Sequence, residues 1–374
     1  MVNIVEVKTK KDRKRFIDFQ NTLYKGVEQY VPTMMVDELT ALDPKKNPAF
    51  EYCDMRFFLA EREGKLVGRI GAIINKKANE KWSEKKIRIT RMDFIEDKEV
   101  FDALICTVED WAKEQGLEEM VGPMGFCDLD KEGMLIAGFE LPSMFITYYN
   151  YAYYPRFMEE AGFEKEVDWT EQIVHTDCHE ESRLEKLSER LLKRYGFSIV
   201  KLKNKKQLTP YIPKVFNLIN SEYESLYGVV PLTQRQMEFY TKMFLSLINL
   251  RYVSLVENTA GELVAFGITA PSLSAPMKRS NGRLFPVGWA YLLKALKKPK
   301  ILDMYLVAVR SDCRNTGLNA VLLNEVYKRA QEDNIELAET GPQLETNYNI
   351  QNMWDYFNVE RNVRRRRSWK KKIA

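Results

Sequence analysis

The sequence predicts an α+β protein of mixed α/β layers, built from two tandem domains that each hold a central, twisted, mostly antiparallel sheet flanked by helices. The first observation is length: the chain has 374 residues, and single cores seldom grow past ~250–300 residues. The second is composition, since 45% hydrophobic and 12% aromatic residues can fill packed cores. The third is that the order strand, helix, hairpin, strand, helix, strand, helix, strand occurs twice.

The first half opens with a short strand at 3–8 and a helix at 10–25, whose apolar side chains recur on one face. Residues 30–54 mix prolines and charges without periodicity, which favours a loop with a helical turn or two. The remaining predicted elements are a hairpin at 57–75 that turns at Gly64, a strand at 87–95, a helix at 97–115 capped by Asp97 and ended by Gly116, a strand at 120–121, a short helix at 156–160 and a strand through 174.

Residues 122–155 form the longest stretch without a predicted element in the first half, and they are rich in glycine and aromatic residues. A long loop in a compact domain is usually functional or disordered, and this one is too apolar to be disordered. We therefore expect it to be ordered and to line a site. Together with an insertion at 271–300, it hints at a sizeable or partly hydrophobic substrate.

The second half repeats the order of elements after a charged helix at 180–195, and we place the domain limits at 1–178 and 179–374. The insertion at 271–300 carries prolines and the apolar run GWAYLLKALKK, and it separates a hairpin from the next strand. The other predicted elements are a strand at 197–202, a helix at 208–226, the hairpin at 252–270, a strand at 301–309, a helix at 318–330, a strand at 335–340, a helix at 350–357 and a basic final strand.

The stretch from Ile301 to Ala330 carries the strongest functional signal. An apolar strand leads into a polar hinge, and a helix with an apolar face follows. This geometry presents unpaired backbone N–H groups to an anion, with the positive end of the helix dipole behind them. Gly317 would let the backbone approach a phosphate closely, and Arg314 would add positive charge beside it.

The hinge resembles the pyrophosphate loop of the GNAT (GCN5-related N-acetyltransferase) acyltransferases, which reads Arg/Gln-x-x-Gly-x-Gly/Ala between a strand and a long helix. Here the run is Arg314-Asn315-Thr316-Gly317-Leu318-Asn319, with asparagine where the last small residue usually stands. The resemblance covers most of the chain as an order of elements, but only this loop is motif-like. It implies a bacterial, tandem GNAT-like protein that takes acetyl-CoA or another acyl-CoA as co-substrate.

The resemblance also implies a chemistry, in which a primary amine of unknown identity, on a small molecule or a peptide, attacks the thioester carbonyl directly. The loop 314–319 would hold the acyl-CoA. The strand before it would pair its backbone with the pantetheine and place one N–H near the oxyanion. The residues of that strand are Leu306, Val307, Ala308 and Val309.

The loop at the equivalent place in the first half is Ile95 to Glu99. It has no glycine, and three carboxylates stand where a pyrophosphate would lie. Like charge at that position disfavours a polyanion. We therefore expect the first domain to be degenerate for CoA and to supply the acceptor pocket instead.

The family's usual acid for the leaving thiolate is a tyrosine four residues before Gly-Phe, but here Trp354 and Met158 hold the matching positions. Neither can donate a useful proton. Tyr305, Tyr348 and Tyr356 are possible substitutes, and each could equally be a packing residue. Candidates for the base are Glu339, at the end of a strand, and Glu345, in the loop that follows.

The chain has 57 basic and 53 acidic residues, a net charge of +4, and this near balance does not indicate a nucleic-acid-binding protein. The amino terminus lacks a signal-peptide core, and no segment approaches ~18 uninterrupted apolar residues. We therefore expect a cytoplasmic protein without a membrane partner. The basic runs 364–367 and 370–372 are interpreted as an edge strand whose charges oppose aggregation.

Cysteine and histidine usage predicts neither disulfides nor a metal. Five cysteines are scattered, odd in number and without a C-x-x-C pair, so we expect them to be reduced. His175 and His179 frame Asp177 and Cys178, a spacing that could hold a metal, but two histidines at a domain junction argue against it.

Two further functions stay open beside the acyl-CoA-dependent enzyme. One is a non-catalytic GNAT-fold scaffold that binds a ligand. The other is an aminoacyl-tRNA-dependent transferase similar to the peptidoglycan-bridge (Fem-like) enzymes, the one alternative with a nucleic-acid partner. Those enzymes usually carry a helical arm of charged heptads, which this sequence lacks beyond the helix at 180–195. The sequence leaves monomer and homodimer open.

Overall fold

The structure is a computed structural model that describes residues 1–177 and 181–373. The chain divides into two compact units. The first comprises Met1–Thr170, Ser274–Trp289 and the residues from Arg364 onward, and the second comprises Glu171–Leu273 and Ala290–Val363. The predicted domains, 1–178 and 179–374, divide the chain only once, and these limits stay a prediction.

The structure has fourteen strands and thirteen α-helices among the described residues. The strands are β1 (Asn3–Glu6), β2 (Cys53–Arg62), β3 (Lys65–Asn75), β4 (Lys86–Phe94), β5 (Glu119–Gly122), β6 (Met134–Ala137), β7 (Glu164–His175), β8 (Ser198–Ile199), β9 (Val253–Glu257), β10 (Leu263–Pro271), β11 (Ile301–Val309), β12 (Leu337–Thr340), β13 (Gln343–Leu344) and β14 (Val359–Lys372). The helices are α1 (Lys10–Leu23), α2 (Met35–Ala41), α3 (Lys76–Trp82), α4 (Lys98–Glu114), α5 (Tyr153–Glu160), α6 (Glu181–Tyr195), α7 (Lys205–Leu208), α8 (Tyr211–Glu222), α9 (Gln234–Phe244), α10 (Ser274–Ser280), α11 (Gly288–Lys297), α12 (Leu318–Glu332) and α13 (Tyr348–Gln351).

Each unit has a sheet that contains one pair of parallel strands, and the two strands of that pair are hydrogen-bonded over only a few residues. In the first unit the order is β1-β2-β3-β4-β5-β14, and β4 pairs in parallel with β5 only over Lys86–Arg88 before it continues to Phe94. In the second unit β12-β11-β10-β9-β8 follow one another, and β11 pairs in parallel with β12 over Ile301–Met304 before it continues to Val309. Beyond these residues each long strand continues without its parallel partner.

The core of the first unit forms where α4 packs on the sheet. Asp97 caps this helix by accepting a hydrogen bond from the Val100 N–H, and Gln115 ends it. Its buried face, at three- and four-residue spacing, includes Phe101, Leu104 and Val108. This amphipathic pattern is why the sequence alone located the helix to within one residue at each end.

The second unit packs a helix on each face of its sheet. Val321 and Leu322 of α12 contact Val256 and Val264 on one face. On the other face, α8 contributes an apolar stripe to a cluster with Leu255, Phe266 and Ala308, and the stripe consists of Val215, Leu218 and Ile219. Side chains of β11 therefore alternate between α8 and α12.

Several predicted elements differ in extent from those observed, and helices α3, α9 and α10 were not predicted. The strand at 197–202 pairs only at Ser198–Ile199, and the helix at 208–226 is two helices, α7 and α8. Helix α9 was not predicted, although Thr233 and Gln236 form a reciprocal capping box at its start.

The basic carboxyl-terminal strand is not an edge strand, so that prediction was wrong. In the first unit β14 pairs with β5 and with β6. Arg366 is fully buried and donates to the Tyr148 carbonyl and to Thr147 Oγ1, while Arg367 Nε lies 2.8 Å from Asp168 Oδ1. The arginines point inward because these acceptors satisfy the charge.

Candidate functional site

The loop between β11 and α12 has a backbone that only certain residues adopt. Asn315 has φ of +67° and Gly317 has φ of +86°, both in the left-handed region that asparagine and glycine tolerate best. Gly317 is the N-cap of α12, no described side chain caps that end, and the first turn contains no acidic residue. The Ala320 N–H donates to the Gly317 carbonyl at 2.9 Å, so this end offers an anion the N–H groups of Leu318 and Asn319 and the positive end of the helix dipole.

Packing also limits the side chain at position 317. A Cβ atom there would lie 2.9 Å from Leu191 Cδ1 of α6, so the end of that leucine side chain would have to shift. The glycine therefore has a structural explanation, and its presence alone does not identify a phosphate site. A larger residue there would disturb the contact between α6 and α12.

Arg314 is held by a carboxylate. Its Nη2 lies 2.6 Å from Glu222 Oε2, and Glu222 Oε1 accepts a hydrogen bond from the Ser311 N–H at 3.1 Å. The Glu222 side chain is buried, whereas that of Arg314 is half exposed. A negative charge thus neutralises the arginine at the place where the sequence predicts a pyrophosphate.

The end of α8 also contacts the open part of β11. The Tyr223 hydroxyl, directly after α8, donates to the Val307 carbonyl at 2.9 Å. Leu306 and Ala308 pack in the cluster on the α8 side, and Val307 and Val309 pack in the cluster on the α12 side. One backbone acceptor of the strand is therefore already engaged by the protein.

Tyr305 lies where the register of β11 against β10 shifts. The pairing passes from Leu306↔Ile268 to Met304↔Thr269, which leaves Tyr305 as an extra, bulged residue. Its hydroxyl donates to Asp303 Oδ2 at 3.3 Å. Burial and the Asp303 carboxylate raise the pKa of Tyr305 well above its ordinary value, so the phenol stays protonated at neutral pH.

The equivalent helix end in the first unit is occupied by the protein's own charges. Asp97 caps α4, and Arg62 contacts Asp97 at 2.7 Å and Glu99 at 2.9 Å. Glu96 pairs with Arg156 at 2.9 Å. All three carboxylates that the sequence placed here are therefore engaged, and the N–H groups of the first turn already have an acceptor.

The open edge of β4 in the first unit is covered by the segment that follows β5. The Met124 N–H donates to the Ile89 carbonyl at 2.9 Å. A Cβ on Gly122 would lie 2.4 Å from the same oxygen, so only glycine permits this approach. The loop at 122–155 is ordered, as predicted, and it fills the gap between the diverging strands.

The comparisons with known proteins fit this architecture. No family model matches the chain. It is 26% identical over 365 residues to Protein YghO of Escherichia coli K12, covering 94% of this chain and 90% of that protein. It is 27% identical over 299 residues to a bacterial ceramide synthase of Caulobacter vibrioides, covering 79% and 77%. Among solved structures, a tandem GNAT protein from the clavulanic acid biosynthesis pathway superposes with a TM-score of 0.58 at 12% identity, covering 100% and 99%.

The chain has the tandem GNAT fold. The predicted fold class and the resemblance stated from the sequence are thereby confirmed.

Within this tandem GNAT fold, the other catalytic candidates lie on separate segments. Glu339 is half-buried on β12, directly across the parallel register from Asp303 and thus one strand away from Tyr305. Glu345 follows β13, and Tyr356 follows the single turn Asn352–Trp354; both are half-buried. Their roles, like those of loop residues 314–319, stay predictions.

The residues at the family's acid position pack in cores. Trp354 is buried beside Val174 and Leu323 in the second unit, and Met158 is buried in the main cluster of the first unit. Tyr348 is largely exposed. Tyr305, by contrast, combines partial burial with a carboxylate partner, Asp303.

Sequence reasoning missed a buried polar network in the first unit. Arg69 contacts Asp93 at 2.7 Å, and the Tyr24 hydroxyl donates to Asp93 at 2.7 Å and lies 3.0 Å from that of Tyr154. Tyr154 in turn accepts from the Phe94 N–H at 2.8 Å. Part of the signal was present in the sequence, since Arg69 interrupts the apolar run of β3, whereas Asp93 lies in a strand that also carries Arg88 and Arg91.

A second buried group lies in the loop 122–155. The Lys131 ammonium donates to the Thr147 carbonyl at 3.3 Å and lies over the rings of Phe145 and Tyr148. Burial lowers the pKa of Lys131 to about 7. An amine that is partly neutral near pH 7 can accept a proton, so the first unit also holds a group able to act as a base.

In the described parts of the chain, 1–177 and 181–373, no group of three or more His, Cys, Asp or Glu side chains is placed to hold a metal ion. His175 Nε2 lies 2.7 Å from Glu360, while Cys178 and His179 of the spacing noted above lie outside the described residues. Cys53, Cys106, Cys127 and Cys313 form no disulfide bond. No helix among the described residues is long and apolar enough to cross a membrane.

Proposed function

We propose that the chain is an N-acyltransferase that transfers an acyl group from acyl-CoA to a primary amine, with the donor bound by the second unit. The observation that carries this proposal is the amino end of α12, which has a left-handed glycine, no described side-chain cap and an adjacent arginine at the end of an open strand edge. The matching helix end in the first unit is capped and crowded by carboxylates, which favours the second unit for a polyanion.

We further propose that the acceptor is a long-chain amino alcohol and that the donor carries a fatty acyl chain. One relative is named a bacterial ceramide synthase, and a ceramide is the amide of a fatty acid with a long-chain amino alcohol. Its identity of 27% over 79% of this chain supports the class of reaction. The apolar insertion at 271–300 is also consistent with a lipid-like substrate.

In the proposed reaction the amine nitrogen bonds to the acyl carbon, the carbon–sulfur bond breaks, the nitrogen loses a proton and the sulfur gains one. Acyl-CoA, when bound, supplies the activated thioester, and the loop 314–319 with the β11 backbone at 306–309 would hold it. Tyr305 is protonated and can donate the proton to sulfur. Glu339, on the neighbouring strand, would accept the proton from the amine.

A calorimetric titration of acetyl-CoA and palmitoyl-CoA into wild type and Asn319→Asp tests the donor site. Asn319 is the second residue of α12, and an isosteric carboxylate there favours the helix while it repels a pyrophosphate. We expect the dissociation constant to rise on the order of tenfold, since two charges a few ångströms apart interact by about 1–4 kcal/mol near a protein surface.

The matched control for that titration is Gln234→Glu. It adds one negative charge to the first turn of α9, a helix of the same unit whose amino end Thr233 already caps. Its CoA affinity should equal that of wild type. Equal affinity of Asn319→Asp and wild type for CoA would show that the pyrophosphate does not bind at the amino end of α12. Absence of binding to any thioester would favour the aminoacyl-tRNA-dependent alternative. Binding without amide formation on a panel of long-chain amines would favour the scaffold.

Glu222→Gln should strengthen CoA binding about fivefold, or ~1 kcal/mol, which is the upper range for a partly exposed ion pair. Glutamine keeps an acceptor for the Ser311 N–H but releases Arg314 from its counter-charge. The same titration measures the effect. A weaker affinity in this variant would instead show that the Glu222 carboxylate orders the loop for its ligand.

A further inference from the structure

An unusual group of apolar side chains is exposed along residues 282–298, which comprise helix α11 and the loop that leads into it; we call this stretch the docking segment. Phe285 exposes 80% of its surface, Val287 53%, Trp289 49% and Leu293 46%. Burying one such side chain contributes about 1.5–3 kcal/mol, so leaving several exposed together is costly. Adjacent exposed apolar side chains of this size mark an interaction surface.

The docking segment lies in a stretch of the chain whose charged residues are all basic. No acidic residue occurs between Glu262 and Asp303, whereas the whole chain is nearly balanced, with 57 basic and 53 acidic residues. The basic residues in that interval are Lys278, Arg279, Arg283, Lys294, Lys297, Lys298 and Lys300. A partner of this surface should therefore be anionic.

The exposed surface of helix α11 has an apolar part and a basic part. Trp289 and Leu293 are one turn apart and both exposed, and Lys294 and Lys297 are exposed beside and beyond them. Tyr291 and its neighbours on the opposite side are half-buried. An apolar face rimmed by lysines is the pattern of a helix that lies in a membrane interface.

The loop before α11 is fixed by backbone contacts. The Met35 N–H donates to the Gly282 carbonyl at 2.9 Å, and Arg283 pairs with Asp18 at 3.1 Å. The Trp289 indole N–H donates to the Pro286 carbonyl at 3.0 Å. Phe285 and Val287 are therefore presented by an ordered loop.

We propose that the docking segment binds the surface of an anionic membrane, with Phe285, Val287, Trp289 and Leu293 at the boundary of the acyl chains and the lysines among the headgroups. Aromatic side chains prefer this interface, and basic residues are attracted to anionic lipids. A second copy of the chain is a poorer occupant, because a two-fold contact would bring two basic surfaces together.

The sequence predicted no membrane partner because it contains no long apolar run. That no helix of residues 1–177 and 181–373 could cross a membrane does not bear on surface binding. The proposal does not depend on catalysis, since it concerns adsorption alone. Binding at a membrane surface would also bring the enzyme of the proposed function close to long-chain substrates dissolved in that membrane.

Co-sedimentation of the full chain with extruded vesicles tests the proposal, using phosphatidylcholine alone and phosphatidylcholine mixed with phosphatidylglycerol. We expect binding only to the anionic vesicles, and weaker binding as salt is raised. The double variant Phe285→Ser/Leu293→Ser and the triple variant Lys294→Gln/Lys297→Gln/Lys298→Gln should each lower the bound fraction at least about tenfold.

Two controls match these changes elsewhere in the chain. Val36→Ser/Tyr348→Ser alters two other exposed apolar residues, and Lys10→Gln/Lys11→Gln/Lys14→Gln removes the same charge from α1. Both should bind like wild type, and thermal melting verifies that each variant is folded. Equal binding to both kinds of vesicle, or unchanged binding in the docking-segment variants, would overturn the proposal. A dimer in sedimentation velocity that only Phe285→Ser/Leu293→Ser dissociates would assign the surface to a second copy instead.

Discussion

Replacing Asp93 by alanine should lower the free energy of unfolding of the first unit by about 3–5 kcal/mol, the usual cost of removing one partner of a buried ion pair. Arg69 and Asp93 each expose only 3% of their side chains and lie 2.7 Å apart. Without the carboxylate, the guanidinium would stay buried without its ion-pair partner, and the Tyr24 hydroxyl would lose the Asp93 acceptor. Urea unfolding followed by circular dichroism measures the loss.

The control for this prediction is an ion pair of similar geometry at the surface. Lys85 and Glu118 lie 2.6 Å apart, with 62% and 70% of their side chains exposed. Glu118→Ala should cost at most about 1 kcal/mol, because water already screens that pair. If Asp93→Ala lost no more than Glu118→Ala, the Arg69 guanidinium would have to reach solvent in the variant, contrary to its burial here.

The same network shows which parts of the fold the sequence reveals. The hairpins, α4 and the β11–loop–α12 stretch were predicted because their signals, apolar periodicity and turn residues, are local. The role of Arg69 was not predicted, because its partners, Asp93 and the Phe16 carbonyl, lie far from it in the sequence. The carboxyl-terminal strand was predicted wrongly for the same reason. Its arginines suggest an exposed strand, but Asp168 and Thr147, which are distant in the sequence, accept their hydrogen bonds.

The candidate site divides in the same way. The strand, the left-handed glycine and the helix start follow from the local sequence, and the structure contains all three. The contacts of Glu222 with Arg314, of Tyr223 with Val307 and of Leu191 near Gly317 join distant segments, so no local pattern could supply them. They matter because they give the loop residues structural partners as well as candidate ligand roles.

One long-range signal was present in the sequence but unused. Gly-Pro follows the second parallel strand in each unit, at Gly122-Pro123 and at Gly341-Pro342. In both units a backbone N–H from this region donates to the first strand of the parallel pair, from Met124 to Ile89 and from Gly341 to Met304. Alignment of the two halves on this dipeptide would have matched β5 with β12 directly.

Tyr305→Phe should lower the turnover number for amide formation about 100-fold or more, the usual contribution of a positioned general acid, while acyl-CoA affinity stays the same. The phenol is held protonated by burial and by Asp303, so it can donate a proton but cannot act as a base at neutral pH. Steady-state kinetics with product detection by mass spectrometry, beside the titration of acyl-CoA, separate turnover from binding. Tyr195→Phe, at a half-exposed tyrosine of the same unit, should retain full turnover.

The pH dependence distinguishes a proton donor from a packing residue. Because the Asp303 charge raises the pKa of Tyr305, removing that charge in Asp303→Asn should lower the pKa of the phenol. An acid is active only while protonated, so the alkaline fall in turnover should move to lower pH in this variant, and Tyr305→Phe should abolish that limb. If Tyr305→Phe kept both its rate and its alkaline limb, the proton would have to come from elsewhere. Tyr356 would then be the next phenol to replace.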